Sequence, residues 1–344
     1  MNRGFYRRIQ EELNSNRNIF IVTIIKDKED KRFGKKILRV NDEVIIEDEE
    51  NIDVYDDIMK KINFNEYGRI LKINDDIEIV IENIISKPSL VICGGGHIAL
   101  SLANMAKMLD FNVTVIDDRE EFANKNRFPE VDNIICDKFN NALDKIEFNR
   151  NSYFVIVTRG HRADQDCVEK ILKNEFRYLG MIGSRAKVAN SIRQLLEKGY
   201  TTEEINKVNA PIGLNIGAKT PAEISVSIMA QIIQEKNSRN LSTVDEEILN
   251  EIVYGDKNKV LVSILDKRGS SPRGIDAKML VKDDGSFIGT IGGGVVENAA
   301  YEKALELIKE EKSHIESYDL SNSAAAKLGM ACGGTIKVLF EYIR

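Results

Sequence analysis

Three groups of residues in this chain have the types and spacing to do chemistry. The first is the turn Gly94-Gly95-Gly96-His97, where Gly94-x-Gly96-x-x-Ala99 fits the Ala-ended dinucleotide fingerprint and Asp117 stands 23 residues past Gly94. Such a turn uses one glycine for the tight bend and a second so that a pyrophosphate can approach the backbone. A third small residue packs helix on strand. Free N–H groups at the helix start would hold the phosphates, and Asp117 would accept from a ribose hydroxyl. The second group is three polar clusters: Asp117-Asp118-Arg119, Thr158-Arg159-Gly160-His161 and Gly183-Ser184-Arg185. The third is three glycine-bearing loops: Gly269-Ser270-Ser271-Pro272-Arg273, Gly292-Gly293-Gly294 and Cys332-Gly333-Gly334. Glycine lets backbone N–H groups turn toward an anion, and Arg273 can grip a phosphate through two parallel bonds. Glu297, just past the triple glycine, can anchor a polar ligand. Cys332, between Ala331 and two glycines, has the setting of a thiol that ionises near an arginine and acts as a soft ligand. Each group also has a plainer reading. The glycines can serve only as turns, Glu297 can be a helix surface residue, and Cys332 can be a small buried hydrophobe.

The elements that must position these residues follow from periodicity. Residues 90–93 form a short apolar run that reads as a buried strand. Ile98, Leu102, Met105 and Leu109 then recur at helical spacing, and 113–116 is a second β-rich run ending at Asp117. Further strands are expected at 134–136, 153–158 and 178–182, with helices at 164–174 and 187–198. Alternating strands and helices imply a parallel sheet, with the ligand crevice outside the carboxyl ends of the strands, where the three polar clusters fall. Thr220-Pro221-Ala222-Glu223 carries a capping box with proline at the first helical position. The preceding loop, 211–219, reads either as part of the crevice or as a stiff connector.

On either side lie β-rich stretches. Residues 1–86 read as a small α+β unit, with a helix at 5–13, strands at 19–25, 36–40, 43–46 and 77–85, and an acidic loop at 47–51. Residues 87–240 carry the Rossmann-type pattern. Residues 245–344 form a third unit, with a helix at 245–253, strands at 260–265, 278–281, 287–291 and 335–342, and a helix from 295. The stretch from Ile19 is similar to that from Val260 with one two-residue gap, and IVIENI around Glu82 matches VLFEYI around Glu341. The first stretch lacks the three glycine loops. It reads as a degenerate repeat, or as two β-rich segments alike in composition.

Bulk composition narrows the classes. A formal charge of −6 argues against a nucleic-acid binder, because there is no basic excess to neutralise phosphates. No apolar run approaches a membrane span and no leader is visible, so a soluble cytoplasmic protein is expected, with no membrane partner. The four cysteines are scattered without zinc spacing, and the three histidines are too few for a His-rich centre, so no metal site is expected. Cys93, Cys136 and Cys167 are expected to be structural. Two β-rich end units with sheet edges needing cover point to a homodimer.

The residues also carry a resemblance. The stretch GSSPRGIDAKMLVKDDGSFIGTIGGGVVE followed by GMACGGTIKVLFE resembles the CoxI-type domain of the XdhC/CoxI family of xanthine dehydrogenase accessory proteins. VICGGGHIALSLANMAKMLDFNVTVIDD, VTRGHRADQDCVEKIL, YLGMIGSRAKV and APIGLNIGAKTPAEISVSIMAQII are similar to the family's Rossmann domain. The expected fold class is therefore α/β, a Rossmann-type parallel-sheet domain flanked by small α+β CoxI-type domains. The resemblance implies an accessory protein that binds molybdenum cofactor (molybdopterin), aids its sulfuration and delivers it to a molybdenum hydroxylase apoenzyme, with a cysteine desulfurase as a further partner. With no iron–sulfur cysteine set, the chain is expected to be a non-catalytic chaperone and not xanthine dehydrogenase itself. The usual family order puts the CoxI-type domain first, whereas here the intact one follows the Rossmann domain. Two other readings stand beside this one: an NAD(P)-dependent oxidoreductase, with Asp117 on the ribose and His161 as proton donor, and a nucleotide-sensing module.

Overall fold

The computed structural model describes residues 3–14, 19–29, 31–41, 43–46, 52–64, 70–238, 242–243, 245–269, 277–319 and 334–344. The chain divides into two compact units, one made of Met1–Ser86 with Asn240–Arg344 and the other of Lys87–Arg239. The first and third stretches of the sequence thus pack as one body, and the Rossmann-type stretch is inserted between them along the chain.

The N-terminal module runs α1 (Arg3–Asn14), β1 (Ile19–Asp27), β2 (Lys36–Val40), β3 (Glu43–Ile46), α2 (Ile52–Lys61), β4 (Ile70–Lys72) and β5 (Ile77–Ile85). Its strands order as β3-β2-β1-β5-β4, all antiparallel. Along β1, Phe20, Val22 and Ile24 pack under Tyr55 and Ile58 of α2, while Ile19 and Ile21 pack on the other face with Phe5, Tyr6 and Ile9 of α1. That alternation is the period-2 pattern of a sheet covered on both faces. The acidic run 47–51 lies outside the described residues.

The inserted unit runs β6 (Ser89–Cys93), α3 (His97–Met108), β7 (Asn112–Asp117), β8 (Asn133–Cys136), α4 (Phe139–Leu143), β9 (Ser152–Ile156), α5 (His161–Leu172), β10 (Tyr178–Met181), α6 (Arg185–Glu197), α7 (Thr202–Ile205), β11 (Val208–Asn209) and α8 (Pro221–Lys236). Six parallel strands order as β11-β10-β9-β6-β7-β8, which is the doubly wound arrangement with β6 and β9 at the centre. Leu90 and Ile92 face the core under α3 and α8, and Val91 and Cys93 face the core under α5 and α6. Burial on both faces explains why these strands read as continuous apolar runs. Cys93 and Cys167 are buried together on the second face, whereas Cys136 is exposed. Cys93 beside it, together with burial, pushes the Cys167 thiol up.

A two-residue strand, β12 (Ser242–Thr243), returns the chain to β5 in parallel. The C-terminal module follows as α9 (Glu246–Tyr254), β13 (Lys259–Gly269), β14 (Lys278–Lys282), β15 (Phe287–Gly289), α10 (Gly294–Glu310), β16 (His314–Asp319) and β17 (Gly334–Ile343), with strand order β15-β14-β13-β17-β16. Element order, strand order and strand direction match the N-terminal module one for one. The registers match as well. Ile21 pairs with Glu82 and Leu261 with Glu341, Thr23 pairs with Lys36 and Ser263 with Lys278, and both central strands carry an irregularity at the same place, Ile24/Lys26 and Ile264/Asp266. α2, β4 and β16 are elements that the sequence reading did not include. β16, HIESYD, is a polar edge strand without an apolar alternation to mark it.

The Thr220 capping box is formed: the Thr220 hydroxyl accepts the Glu223 N–H at 3.3 Å, and the Glu223 carboxylate accepts the Thr220 N–H at 2.9 Å. α8 covers α3 and the central strands through Ile228, Met229 and Ile232. Thr220→Ala is therefore expected to cost about 1 kcal/mol, the usual value of a lost N-cap, read as a lower denaturant midpoint with an unchanged slope.

Candidate functional site

β6 and β9 are neighbours, yet α3 and α5, which follow them, lie on opposite faces of the sheet. This is the topological switch point, where an open parallel sheet leaves a crevice. The turn after β6 is built against the start of the β9 loop. Gly94 has φ +112°, and a Cβ there would stand 2.6 Å from the Val157 carbonyl oxygen. A Cβ on Gly95 would stand 2.2 Å from the Phe122 carbonyl oxygen, so neither position admits a side chain. Gly96 differs: nothing lies within 4 Å of where its Cβ would be. Gly96 is the N-cap of α3, no side chain caps that helix, and His97 at its first position is exposed.

Asp117 stands where a ribose acceptor is expected, but its carboxylate is engaged within the protein. It ends β7 beside β6 and is 1% exposed. Its Oδ2 accepts the Gly95 N–H at 2.8 Å and Arg119 Nη2–H at 3.0 Å, and its Oδ1 accepts the Arg119 backbone N–H at 3.1 Å and Nε–H at 2.8 Å. Both oxygens are in use, so Asp117 clamps the turn. Burial pushes its carboxyl up, but Arg119 and the Gly95 N–H outweigh that and hold it below the ordinary carboxylate range. Asp118 next to it is exposed.

Arg127 has a role here that its sequence setting did not signal, and Arg119, named with its polar cluster, serves the turn itself. Arg119 lies 3.7 Å over the Phe122 ring. Arg127 donates from Nε to the Gly95 carbonyl at 2.9 Å, and its buried Nη2 finds no hydrogen-bond partner among the described residues. The stretch 119–128 therefore wraps the turn, engaging the Gly95 carbonyl through Arg127 while Arg119 steadies the carboxylate that takes the Gly95 N–H. In the sequence these are two arginines in a segment without helical periodicity.

The other two clusters are joined by residues that the sequence did not single out. Thr158 Oγ1 donates to Asp164 Oδ1 at 2.6 Å, and Lys187 pairs with the other oxygen of Asp164. Asp164 is 1% exposed. This link ties the loop after β9 to the start of α6. Gly160 is the N-cap of α5, whose first residue is His161, and no side chain caps it. Ser184 caps α6 by accepting the Lys187 N–H, a structural use of its hydroxyl. Gly183 packs against the Lys187 side chain, and Arg159 and Arg185 are exposed.

In the C-terminal module, Gly269 at the end of β13 pairs with Gly334 at the start of β17. β14 begins and β15 ends at the same edge, since Met279 pairs with Gly289. Gly269, Gly289 and Gly334, the strand ends that border the three glycine loops, thus face the same end of one sheet, with Gly289 level through Met279 with Val262, seven residues short of Gly269 along β13. Ser270, Arg273, Cys332 and Gly333 lie outside the described residues. Gly292, Gly293 and Gly294 have φ of +124°, +74° and +73°, which explains why glycine is required there. Glu297 has one carboxylate oxygen engaged within its own loop. Its Oε2 accepts from the Thr290 hydroxyl, from the Ile291 N–H at 2.9 Å and from the Gly293 N–H at 3.1 Å. Burial raises its pKa, while Thr290 and these N–H groups pull it below the ordinary value. The carboxylate thus occupies the N–H groups that an external anion would have used.

Among the described residues no cluster of His, Cys, Asp or Glu could hold a metal ion, and no helix is long and apolar enough to cross a membrane. Fold and site together define a Rossmann-type α/β unit inserted along the chain between two like antiparallel modules, the second of which bears the glycine-rich segments. Residues 90–232 match the XdhC Rossmann domain and residues 256–319 match the XdhC and CoxI family, together more than half of the chain. The chain belongs to the XdhC/CoxI family. It is 35% identical over 153 residues to the uncharacterized protein YqeB of Escherichia coli, covering 44% of this chain and 28% of that one. It is 31% identical over 156 residues to a Bacillus subtilis protein described as a probable component of xanthine dehydrogenase, covering 45% of each. It is 32% identical over 94 residues to the molybdenum cofactor insertion chaperone PaoD of Escherichia coli, covering 27% of this chain and 29% of that one. The chain thus spans less than half the length of each of these curated relatives. A crystal structure described as a xanthine dehydrogenase from Bacillus halodurans matches with TM-score 0.53 and 26% identity, over 67% of this chain and 66% of that one.

Asp117→Asn should lower stability by about 2 kcal/mol, the scale of charge-assisted bonds lost at a buried carboxylate, with solvent at Arg119 keeping it from being larger. Because the folded Asp117 and Glu297 values are depressed, their stabilisation is fully present above the unfolded value of about 4 and is lost as pH falls through the lower folded values. Urea midpoints taken from pH 7 downward should show the parent losing this increment while Asp117→Asn loses less.

Proposed function

We propose that this protein is an accessory factor for maturation of a molybdenum hydroxylase of the xanthine dehydrogenase type, and that its cargo is molybdenum cofactor. The observation that carries this reading is that the strands bordering the three glycine loops open toward the same end of the C-terminal sheet, in a chain whose relatives include a molybdenum cofactor insertion chaperone and a probable xanthine dehydrogenase component. The cargo would bring a phosphate and a soft metal held by sulfur. Arg273 suits the phosphate and Cys332 suits the metal or its sulfur ligand. The finer parts of the proposal are sulfuration of the cargo with sulfur from a cysteine desulfurase, delivery to the apo-hydroxylase, and a cytoplasmic setting.

The Rossmann turn suits an anion as well. Gly96 leaves open backbone, α3 begins without a side-chain cap, and Arg127 Nη2 is a buried donor without a described acceptor. This chain's residues would bind and orient a phosphate there, with Asp117, Arg119 and Arg127 keeping the turn rigid. An NAD(P) reading of the turn rests on Asp117 meeting a ribose, and both oxygens of that residue are already committed within the protein. We therefore favour a phosphate-bearing cargo over an NAD(P)-dependent oxidation, which would also have His161 donate a proton.

Gly96→Val should fold as the parent does, since its side chain meets open space, yet lose ligand binding at the turn. Gly94→Val should cost about 3 kcal/mol or more from clash and strain. Titration with molybdopterin and with NAD(P)H, beside thermal melts, separates the two. A folded Gly96→Val that binds as the parent does would remove the turn from the site. Cys332→Ser should fold and keep binding at the turn, but reconstitute an apo-hydroxylase at least roughly tenfold less well, the scale of a lost contact near a metal. Undiminished reconstitution would limit Cys332 to packing.

A further inference from the structure

We propose that the N-terminal module occupies, within the chain, the seat of a second copy of the C-terminal module, so that one chain carries an internalised homodimer interface. This holds whatever the cargo is.

The two modules agree element by element and register by register, and they share one core. Ile21, Leu38 and Ile84 enter it from one side, and Leu261, Leu280 and Ile343, at the corresponding ladder positions, enter it from the other. A second shared cluster repeats the pattern: Ile25 and Val80 meet Leu265 and Leu339. α1 and α9, which open the two modules, contribute Phe5, Tyr6 and Ile9 and Ile248, Leu249 and Ile252 to the same core.

The buried charges cross between the modules in the way a two-fold axis requires. Lys36 of the N-terminal module pairs with Glu341 of the C-terminal module at 3.0 Å, with side-chain exposures of 3% and 2%. Lys278, the ladder counterpart of Lys36, pairs with Glu82, the counterpart of Glu341. In a two-fold interface residue i of one partner meets j of the other while j meets i, and this is that arrangement. The Lys36 ammonium also donates to Thr23 Oγ1 at 2.9 Å, and the Tyr6 hydroxyl donates to Glu341 Oε1 at 3.4 Å. The four charged side chains and Tyr6 line a cavity of about 20 Å³. That is room for roughly one water where the two faces meet. An interface assembled from unrelated surfaces would have no reason to place lysine and glutamate at the same two ladder positions on both sides. The sequence expectation of a homodimer rested on β-rich units needing cover, and in the structure the cover for each inner face is the other module.

The test is a charge swap in the full chain. Lys36→Glu with Glu82→Lys makes the N-terminal face repel the C-terminal face, while leaving each face complementary to a copy of itself. The C-terminal modules of two chains could then pair Lys278 with Glu341 in both directions, and the N-terminal modules could pair likewise. The expected result by light scattering across micromolar concentrations is a species of about twice the parent's mass. Lys278→Glu with Glu341→Lys should do the same. All four substitutions together restore attraction within the chain and should restore the parent's mass and melting temperature. A folded double variant at the parent's mass would overturn the proposal. So would a double variant that unfolds without a doubled species while the quadruple variant is sound, because the faces would then fit each other and not themselves. A quadruple variant that fails to recover the parent's melting temperature would overturn the crossed pairing itself.

Discussion

An antiparallel sheet covered by a single helix has a second apolar face that water must not reach. In this chain that constraint is met twice by one solution. The face carrying Ile21 and Leu38 covers the face carrying Leu261 and Leu280, and α1 and α9 pack into the same core. Hydrophobic burial of that area is non-directional and would tolerate several placements. The crossed Lys36–Glu341 and Lys278–Glu82 pairs are directional. Buried ion pairs add little net stability over apolar packing, but a misplaced one leaves an uncompensated charge, so they select one arrangement. Because the shared core joins the two ends of the sequence, the Rossmann-type stretch begins and ends in one body.

Two of the glycine turns on which ligand binding was expected each give backbone N–H groups to a carboxylate of the protein. Asp117 takes the Gly95 N–H and Glu297 takes those of Ile291 and Gly293. The physics is the same in both: clustered backbone donors attract negative charge, and a nearby side chain supplies it at lower entropic cost than a free ion would. What remains open is more selective. That open place is formed by Gly96, the uncapped start of α3 and Arg127 Nη2, which has no acceptor among the described residues.

The parallel sheet, its strand–turn–helix start and the cap of α8 could be read from the residues in order, and the likeness of the two terminal stretches was visible there with repeat and shared composition both open. These are local or periodic properties: buried runs, glycine at positive φ, Thr220 three residues before Glu223, and like residues at like spacing. The three-residue β4 and the polar β16 escaped because they carry too few apolar positions to establish a period, whereas α2, with Ile52, Tyr55 and Met59 at helical spacing, was legible and went unread. What the polar residues do was settled only by the packed chain. Asp117 meets Gly95 because β6 and β7 pair in parallel, which places the end of one strand beside the turn of the other. Asp164 meets Lys187 across two loops, and Lys36 meets Glu341 across nearly the whole chain. A charged side chain takes its role from the partner within about 4 Å, and distance along the sequence says little about which partner that will be.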